Sequence, residues 1–369
     1  MINWSKRLAA SVAATSLLLA SGAIANVVSH AEVAILIPGA MPFKQINPVY
    51  PSVAESYPSI GMHFHTVGAT TRLIDYSQDP LAADWALRDG VEQAAEDFPD
   101  GEVVIIGESM GSMVAWRLAK ELADGAQPPD PGRVSVVLIA PPEVGVAEYF
   151  KEGTFIPILN YRITRIAESP YDTTIVIGEY DGWSDPPDRP WNLVSSANAL
   201  AGISYVHGPP SFTADVGGLT PESEIPGDDE HGSITTYLVP TKNLPLTQVF
   251  RDVGVPDALV DKADQVLRPV IDAGYVRHDQ PGDSRPYLYD GEIHRNVQSQ
   301  QQAREPLGVQ NNGSDISEQR PPHRGELRQA VQAVGSDLRD RVAAGFRRLK
   351  ERVTGGQDDR ASSTETVTP

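Results

Sequence analysis

Cysteine is missing from this 369-residue chain. Its absence excludes disulfides, thiolate metal sites, a cysteine nucleophile and a lipid-bearing N-terminal cysteine. Basic residues are scarce beside acidic ones, 30 against 49, and the net charge of −19 argues against nucleic acid as a partner. Long apolar runs are almost absent too. The exception, Leu8 to Val28, follows Lys6 and Arg7 and carries an A-x-A-like site at Ala23-Ile24-Ala25. It reads either as a cleaved secretory signal or as an uncleaved anchor on the outer face of the cytoplasmic membrane. Both readings predict export, to the cell envelope or into the medium. What the chain does have, at 40% apolar residues, is material for a sizeable core.

The most informative stretch is Val103-Val104-Ile105-Ile106-Gly107-Glu108-Ser109-Met110-Gly111. A buried strand runs into G-x-S-x-G and then at once into a helix, the spelling of a nucleophile elbow. The serine must sit on a sharp, strained turn, and glycine two before and two after lets strand and helix pack closely. The helix N-terminus after Ser109 aims backbone N–H groups at an oxyanion formed there. Met110 is the first such donor. The second is expected in the loop Pro38-Gly39-Ala40-Met41-Pro42, from the amide of Ala40 or Met41.

Strands are expected at 33–37, 61–67, 103–106, 134–139, 174–178, 203–206 and 234–239, with helices at 80–96, 112–123 and 193–201 between them. That alternation predicts an α/β chain with a mostly parallel sheet covered by helices on both faces. The insertion from Pro141 to Pro170, with Phe155, Ile156, Ile158, Leu159 and Ile163, reads equally as an acyl-chain groove or lid and as a self-packed excursion.

A serine nucleophile needs a base and an orienting carboxylate, here in the order Ser, acid, His. Asp181 follows the strand 174–178 at its C-terminal end, where sites of open α/β sheets lie; Glu179 and Asp185 are its rivals. His207 follows the next helix and is the favoured base, with His231 the alternative. The pair His63 and His65 precedes Ser109 and lacks a third metal ligand, so it reads as an ordinary strand face. No metal or cofactor is expected.

Several separated segments then carry a family resemblance. They are Tyr180-Asp181-Gly182-Trp183, the Ala197 to Ile203 helix end, Tyr205-Val206-His207-Gly208, Thr235 to Thr241 with Asn243-Leu244-Pro245-Leu246, and Val270 to Tyr275. Together with the elbow, and in that order, they resemble the mycobacterial PE-PPE domain over about residues 33 to 278. The resemblance implies an α/β serine hydrolase fold related to esterases and cutinases, and a triad of Ser109, Asp181 and a histidine. This chain lacks the PE or PPE helical region and has a signal or anchor segment instead, so it resembles the stand-alone, envelope-associated members. Some of those are acyltransferases acting between trehalose glycolipids. An acylated glycolipid or another ester is therefore the expected substrate. Transfer to a sugar hydroxyl, hydrolysis by water, and a catalytically dead lipid-binding role all remain open at this point.

Beyond the catalytic region, residues 279–325 read as a disordered polar linker. Leu327, Val331, Val334, Leu338, Val342, Phe346, Leu349 and Val353 then recur at helical spacing. They predict an amphipathic helix over 326–354 that docks, pairs or lies on a membrane. The expected organisation is a signal or anchor at 1–29, a catalytic domain at 30–278, the linker, the helix, and a disordered tail at 355–369.

Overall fold

The computed structural model describes residues 31–295. The signal or anchor segment, the amphipathic helix, the tail and most of the linker lie outside the described residues.

Eleven strands and seven α-helices are described. The strands are β1 (Val33–Ile37), β2 (Thr70–Leu73), β3 (Val103–Glu108), β4 (Val134–Ile139), β5 (Phe155–Ile156), β6 (Tyr161–Arg162), β7 (Asp172–Gly178), β8 (Ser223–Ile225), β9 (Ile234–Val239), β10 (Pro286–Tyr289) and β11 (Glu292–Arg295). The helices are α1 (Tyr50–Ala54), α2 (Ala83–Ala95), α3 (Met110–Asp124), α4 (Leu193–Tyr205), α5 (Pro209–Phe212), α6 (Pro245–Asp252) and α7 (Asp257–Asp272). Seven strands form one sheet in the order β2-β1-β3-β4-β7-β9-β8, parallel except for the β8–β9 pair.

Continuous runs of β-branched and aliphatic residues suit strands buried on both faces. Every residue of β3 is buried. Successive side chains alternate between two cores. Ile35, Ile37, Val103, Ile105, Val136 and Leu138 pack with Leu87 and Val91 of α2 and Val114 and Leu118 of α3. Leu36, Val104, Ile106, Val137 and Ile139 pack on the opposite face with Tyr57, Ile60, Phe64 and Phe212. The chain is thus of the α/β class, with its helix-covered, mostly parallel sheet carrying the elbow at the C-terminal end of β3.

Residues 61–67 form turns instead of the expected strand, and the edge strand is β2. Gly61 has φ 63° and donates its N–H to the Phe212 carbonyl, which commits this stretch to a bend. The expected strand at 203–206 is the last turn of α4, where the Val206 N–H closes on the Gly202 carbonyl at 2.8 Å. Residues 286–295 open the predicted linker as a β10–β11 hairpin. Leu288 N–H donates to the Asp188 carbonyl at 2.8 Å and Arg165 pairs with Asp290 at 3.2 Å, which ties the hairpin down.

Two compact units divide the described chain, and residues 247–269 make up the second. Within that second unit Arg251 bridges Asp257, Asp261 and Asp264 at 2.8–3.1 Å, and Thr247 donates its hydroxyl to Asp264. Among the described residues no helix is long and apolar enough to cross a membrane, and no cluster of side chains suits a metal ion.

Candidate active site

The site begins with backbone. Ser109, between β3 and α3, has φ 55° and ψ −123°, a region L-residues rarely adopt. The two glycines of the motif are required by contact. A β-carbon at Gly107 would lie 2.1 Å from the Gly111 carbonyl oxygen, and one at Gly111 would lie 2.1 Å from that of Ile37. Ser109 stands at the N-terminus of α3 but its hydroxyl caps no amide. Oγ instead meets His207 Nε2 at 2.8 Å.

His207 follows α4, and its own N–H is held by the Gly202 carbonyl at 3.1 Å. Its Nδ1 meets Asp181 Oδ2 at 2.7 Å. Asp181 is wholly buried and fully occupied: Oδ1 accepts from Trp183 N–H at 2.9 Å, and Oδ2 also accepts from the Ser184 hydroxyl at 2.7 Å. Helix α4 packs directly on the acid's loop, since a β-carbon at Gly202 would fall 1.9 Å from the Tyr180 carbonyl oxygen. Acid and base are thereby held at a fixed separation.

The rivals have other occupations. His231 pairs with Asp228 at 3.0 Å in an exposed loop. Glu179 accepts from Thr241 N–H at 2.8 Å. Asp185 takes both guanidinium nitrogens of Arg277, at 2.6 and 2.9 Å.

Loop 38–41 runs beside the elbow, where a β-carbon at Gly39 would lie 2.8 Å from Ser109 Cβ. Three contacts from residues 76–78 hold it. The Tyr76 hydroxyl donates to the Pro38 carbonyl at 2.7 Å, Gln78 Nε2 donates to the Gly39 carbonyl at 2.7 Å, and Met41 N–H donates to the Gln78 carbonyl at 2.7 Å. Met41 N–H is thereby engaged, whereas no acceptor among the described residues takes the Ala40 N–H. Met110 N–H opens the first turn of α3.

A further titratable group stands at this site. Glu108, the residue before the serine, is 3% exposed, and its Oε1 reaches no hydrogen-bond partner on another residue while lying 3.6 Å from His207 Nε2. Burial pushes its carboxyl up to about 7, against the opposing pull of His207 and of the Gly39 and Gly208 amides. For His207, burial alone lowers the imidazole pKa. The hydrogen bond to Asp181 and the charges of Glu108 and Asp181 outweigh it, so the pKa stands above the ordinary histidine value. The variable position of G-x-S-x-G gives no sign of such a group. A serine so arranged can lose its proton to an imidazole whose far nitrogen is fixed by a carboxylate, which is the geometry of acyl transfer.

Several known proteins are similar to this chain in sequence. A PPE family protein of Mycobacterium tuberculosis, PPE63, is 39% identical over 192 residues, covering 52% of this chain and 39% of its own. The diacyltrehalose acyltransferase Chp2 of the same organism is 36% identical over 214 residues, covering 55% of this chain and 59% of its own. The SL1278 acyltransferase Chp1, also of that organism, is 29% identical over 284 residues, covering 73% and 69%. The chain thus spans about two fifths of the length of the PPE relative it matches. Residues 56–276, which include the elbow and the loops bearing Asp181 and His207, match the PE-PPE domain, and the chain belongs to that family.

Proposed function

We propose that this chain is a serine-dependent acyltransferase moving fatty acyl groups between trehalose-type glycolipids in the cell envelope. The observation that carries the reading is the Asp181–His207–Ser109 relay, at 2.7 and 2.8 Å, on a strained elbow. The names of the relatives Chp1 and Chp2 support the choice of substrate.

In this mechanism Ser109 Oγ attacks the donor's ester carbonyl while His207 Nε2 takes its proton. Asp181 keeps Nδ1–H in place and stabilises the imidazolium that forms. The Met110 and Ala40 amides receive the oxyanion. The imidazolium then protonates the departing alcohol, leaving the acyl chain on Ser109. An acceptor hydroxyl, deprotonated by the same Nε2, releases the chain as a new ester. The basic and apolar residues at 6–28 support export and attachment or passage at the membrane.

The test incubates the full chain with diacyltrehalose and follows products by mass spectrometry, with Ser109→Ala as control. A more heavily acylated trehalose formed only with Ser109 present is the expected result. Free fatty acid alone would make the protein an esterase, and no Ser109-dependent product would point to lipid binding without catalysis. In the same assay His207→Ala should lose about 10³-fold or more, since base and nucleophile act as a unit. His231→Ala should stay within about twofold of the native rate, as expected for a half-buried side chain paired with Asp228 outside the relay.

A further inference from the structure

Gln78 is built into the molecule in a manner that composition and spacing leave unexplained. It is 1% exposed, lies in the segment between β2 and α2, and holds φ 55°, a conformation disfavoured for any residue with a β-carbon. Such strain persists only where the surroundings over-determine it, and it clusters at functional sites. The surroundings here are two peptide groups of the loop that abuts Ser109. The backbone carbonyl of Gln78 accepts from Met41 N–H at 2.7 Å, and its side-chain Nε2 donates to the Gly39 carbonyl at 2.7 Å. The amide orientation is settled by chemistry, because a backbone carbonyl can only accept. Nε2 also reaches the Tyr57 hydroxyl at 3.1 Å. Burial, together with neighbouring charges, pushes that phenol up to about 12, so it stays a neutral hydroxyl at the side of Gln78.

The Gly39 carbonyl and the Ala40 N–H belong to one peptide unit. No cis peptide occurs among the described residues, so the two groups point in opposite directions from a rigid plane. Whatever fixes the carbonyl therefore fixes the N–H. A donor on the carbonyl also polarises the unit and strengthens the N–H on its other side. The amide on the near side of that loop is constrained as well, since Gly39 N–H faces the Glu108 carboxylate. The loop is gripped on both sides of the α-carbon of Gly39, and Ala40 N–H is the group left to serve the reaction.

We propose that Gln78 is a positioning residue of the oxyanion hole, aiming and polarising the Ala40 N–H through the Gly39 carbonyl, with the Tyr57 hydroxyl holding the Gln78 amide in turn. The proposal rests on the reading of Ser109 as nucleophile and Ala40 as oxyanion donor. Gln78 touches no reacting atom, so its removal should weaken the transition state and leave substrate binding alone.

The experiment compares the native full chain with Gln78→Met, which keeps length and removes the donor, and with Tyr57→Phe, which leaves Gln78 in place but unanchored. The probes are p-nitrophenyl butyrate and its thionoester counterpart, in which sulfur replaces the carbonyl oxygen. Sulfur is a poor hydrogen-bond acceptor, so the rate ratio of ester to thionoester reports how strongly the hole acts. Gln78→Met should lower kcat on the ester by about 10- to 100-fold, less than the loss of an oxyanion donor itself. KM should stay within about twofold, and the ester-to-thionoester ratio should fall by a similar factor to kcat. Tyr57→Phe should move kcat and the ratio in the same direction by a smaller factor. If KM rises as kcat falls, or the ratio holds while kcat falls, the role is structural and the proposal is overturned. Should Gln78→Met fail to fold, Tyr57→Phe alone decides: an unchanged ratio overturns the proposal. A native enzyme whose turnover survives Ser109→Ala would show a different failure, that of the serine reading underneath.

Discussion

Glu108 stands one residue before Ser109, and its carboxylate approaches His207 from the Nε2 side while Asp181 holds the Nδ1 side. An imidazolium formed during catalysis is thus flanked by two acids. His207 acts as a base only when neutral, so activity should rise with pH through its raised pKa. Glu108→Gln removes one of the charges that raise that value. The acid limb of kcat/KM should therefore move to lower pH, with KM within about twofold of native. The groups sharing this space are Asp181 beyond His207 and the buried phenols of Tyr57 and Tyr76 beside Glu108. An acid limb that stays in place would show that Glu108 exerts no charge on the base. The pair titrates as coupled groups, so a pH profile reports macroscopic values belonging to both.

At the scale of elements, legibility followed the strength of the local pattern. β1, β3, β4, β7 and β9 are dominated by apolar and β-branched residues, and each lies within about two residues of its expected place. Ile203-Ser204-Tyr205-Val206 has strand-like composition, yet it continues α4, which Gly202 seats against the Tyr180 carbonyl and whose last turn the Val206 N–H closes. β2 is an exposed edge of Thr70-Thr71-Arg72-Leu73 and so carries no apolar alternation to read. The β10–β11 hairpin did leave a signal, Asp290-Gly291 between two alternating stretches, with φ 49° and 70° as a tight hairpin turn requires. Its polar surroundings masked it. In the candidate site, motif and chain order single out Ser109, Asp181 and His207, which the fold joins by hydrogen bonds, whereas Gln78 and Glu108 come beside them only through folded proximity and carry no sequence signal. The seat of α4 is testable by itself. Gly202→Ala puts a methyl carbon into backbone that cannot give way, and it should destabilise the protein by about 3 kcal/mol or more, read as a lowered urea midpoint. A midpoint near native would mean that α4 shifts freely on the acid loop.

Across the whole molecule the sheet core encloses acids as well as aliphatics. Glu143, 2% exposed in the turn after β4, reaches no hydrogen-bond partner on another residue with either oxygen. Burial pushes its carboxyl up to about 7, as it does that of Glu108. The folded state then holds protons that the unfolded chain has already released above about pH 4.5. Stability from these groups is complete below that value and is lost as pH rises through about 7. His207, with its raised pKa, changes stability in the same direction. Unfolding free energy should therefore fall between pH 5 and pH 8, against the usual course for salt-bridged carboxylates. Glu143→Gln should flatten that slope and stabilise the protein at pH 8, by on the order of 1–3 kcal/mol. Urea melts at the two pH values check both, and a slope unchanged by the substitution would remove Glu143 from the account.

The backbone at Ser109 bears on the same balance from another side. Its φ of 55° costs on the order of 1–3 kcal/mol, and a glycine there would recover much of it. Drift toward inertness is thus downhill in folding free energy at this position, open to any lineage with no use for the hydroxyl. This chain stands uphill of it, with the serine, the strained turn and the two flanking glycines all in place.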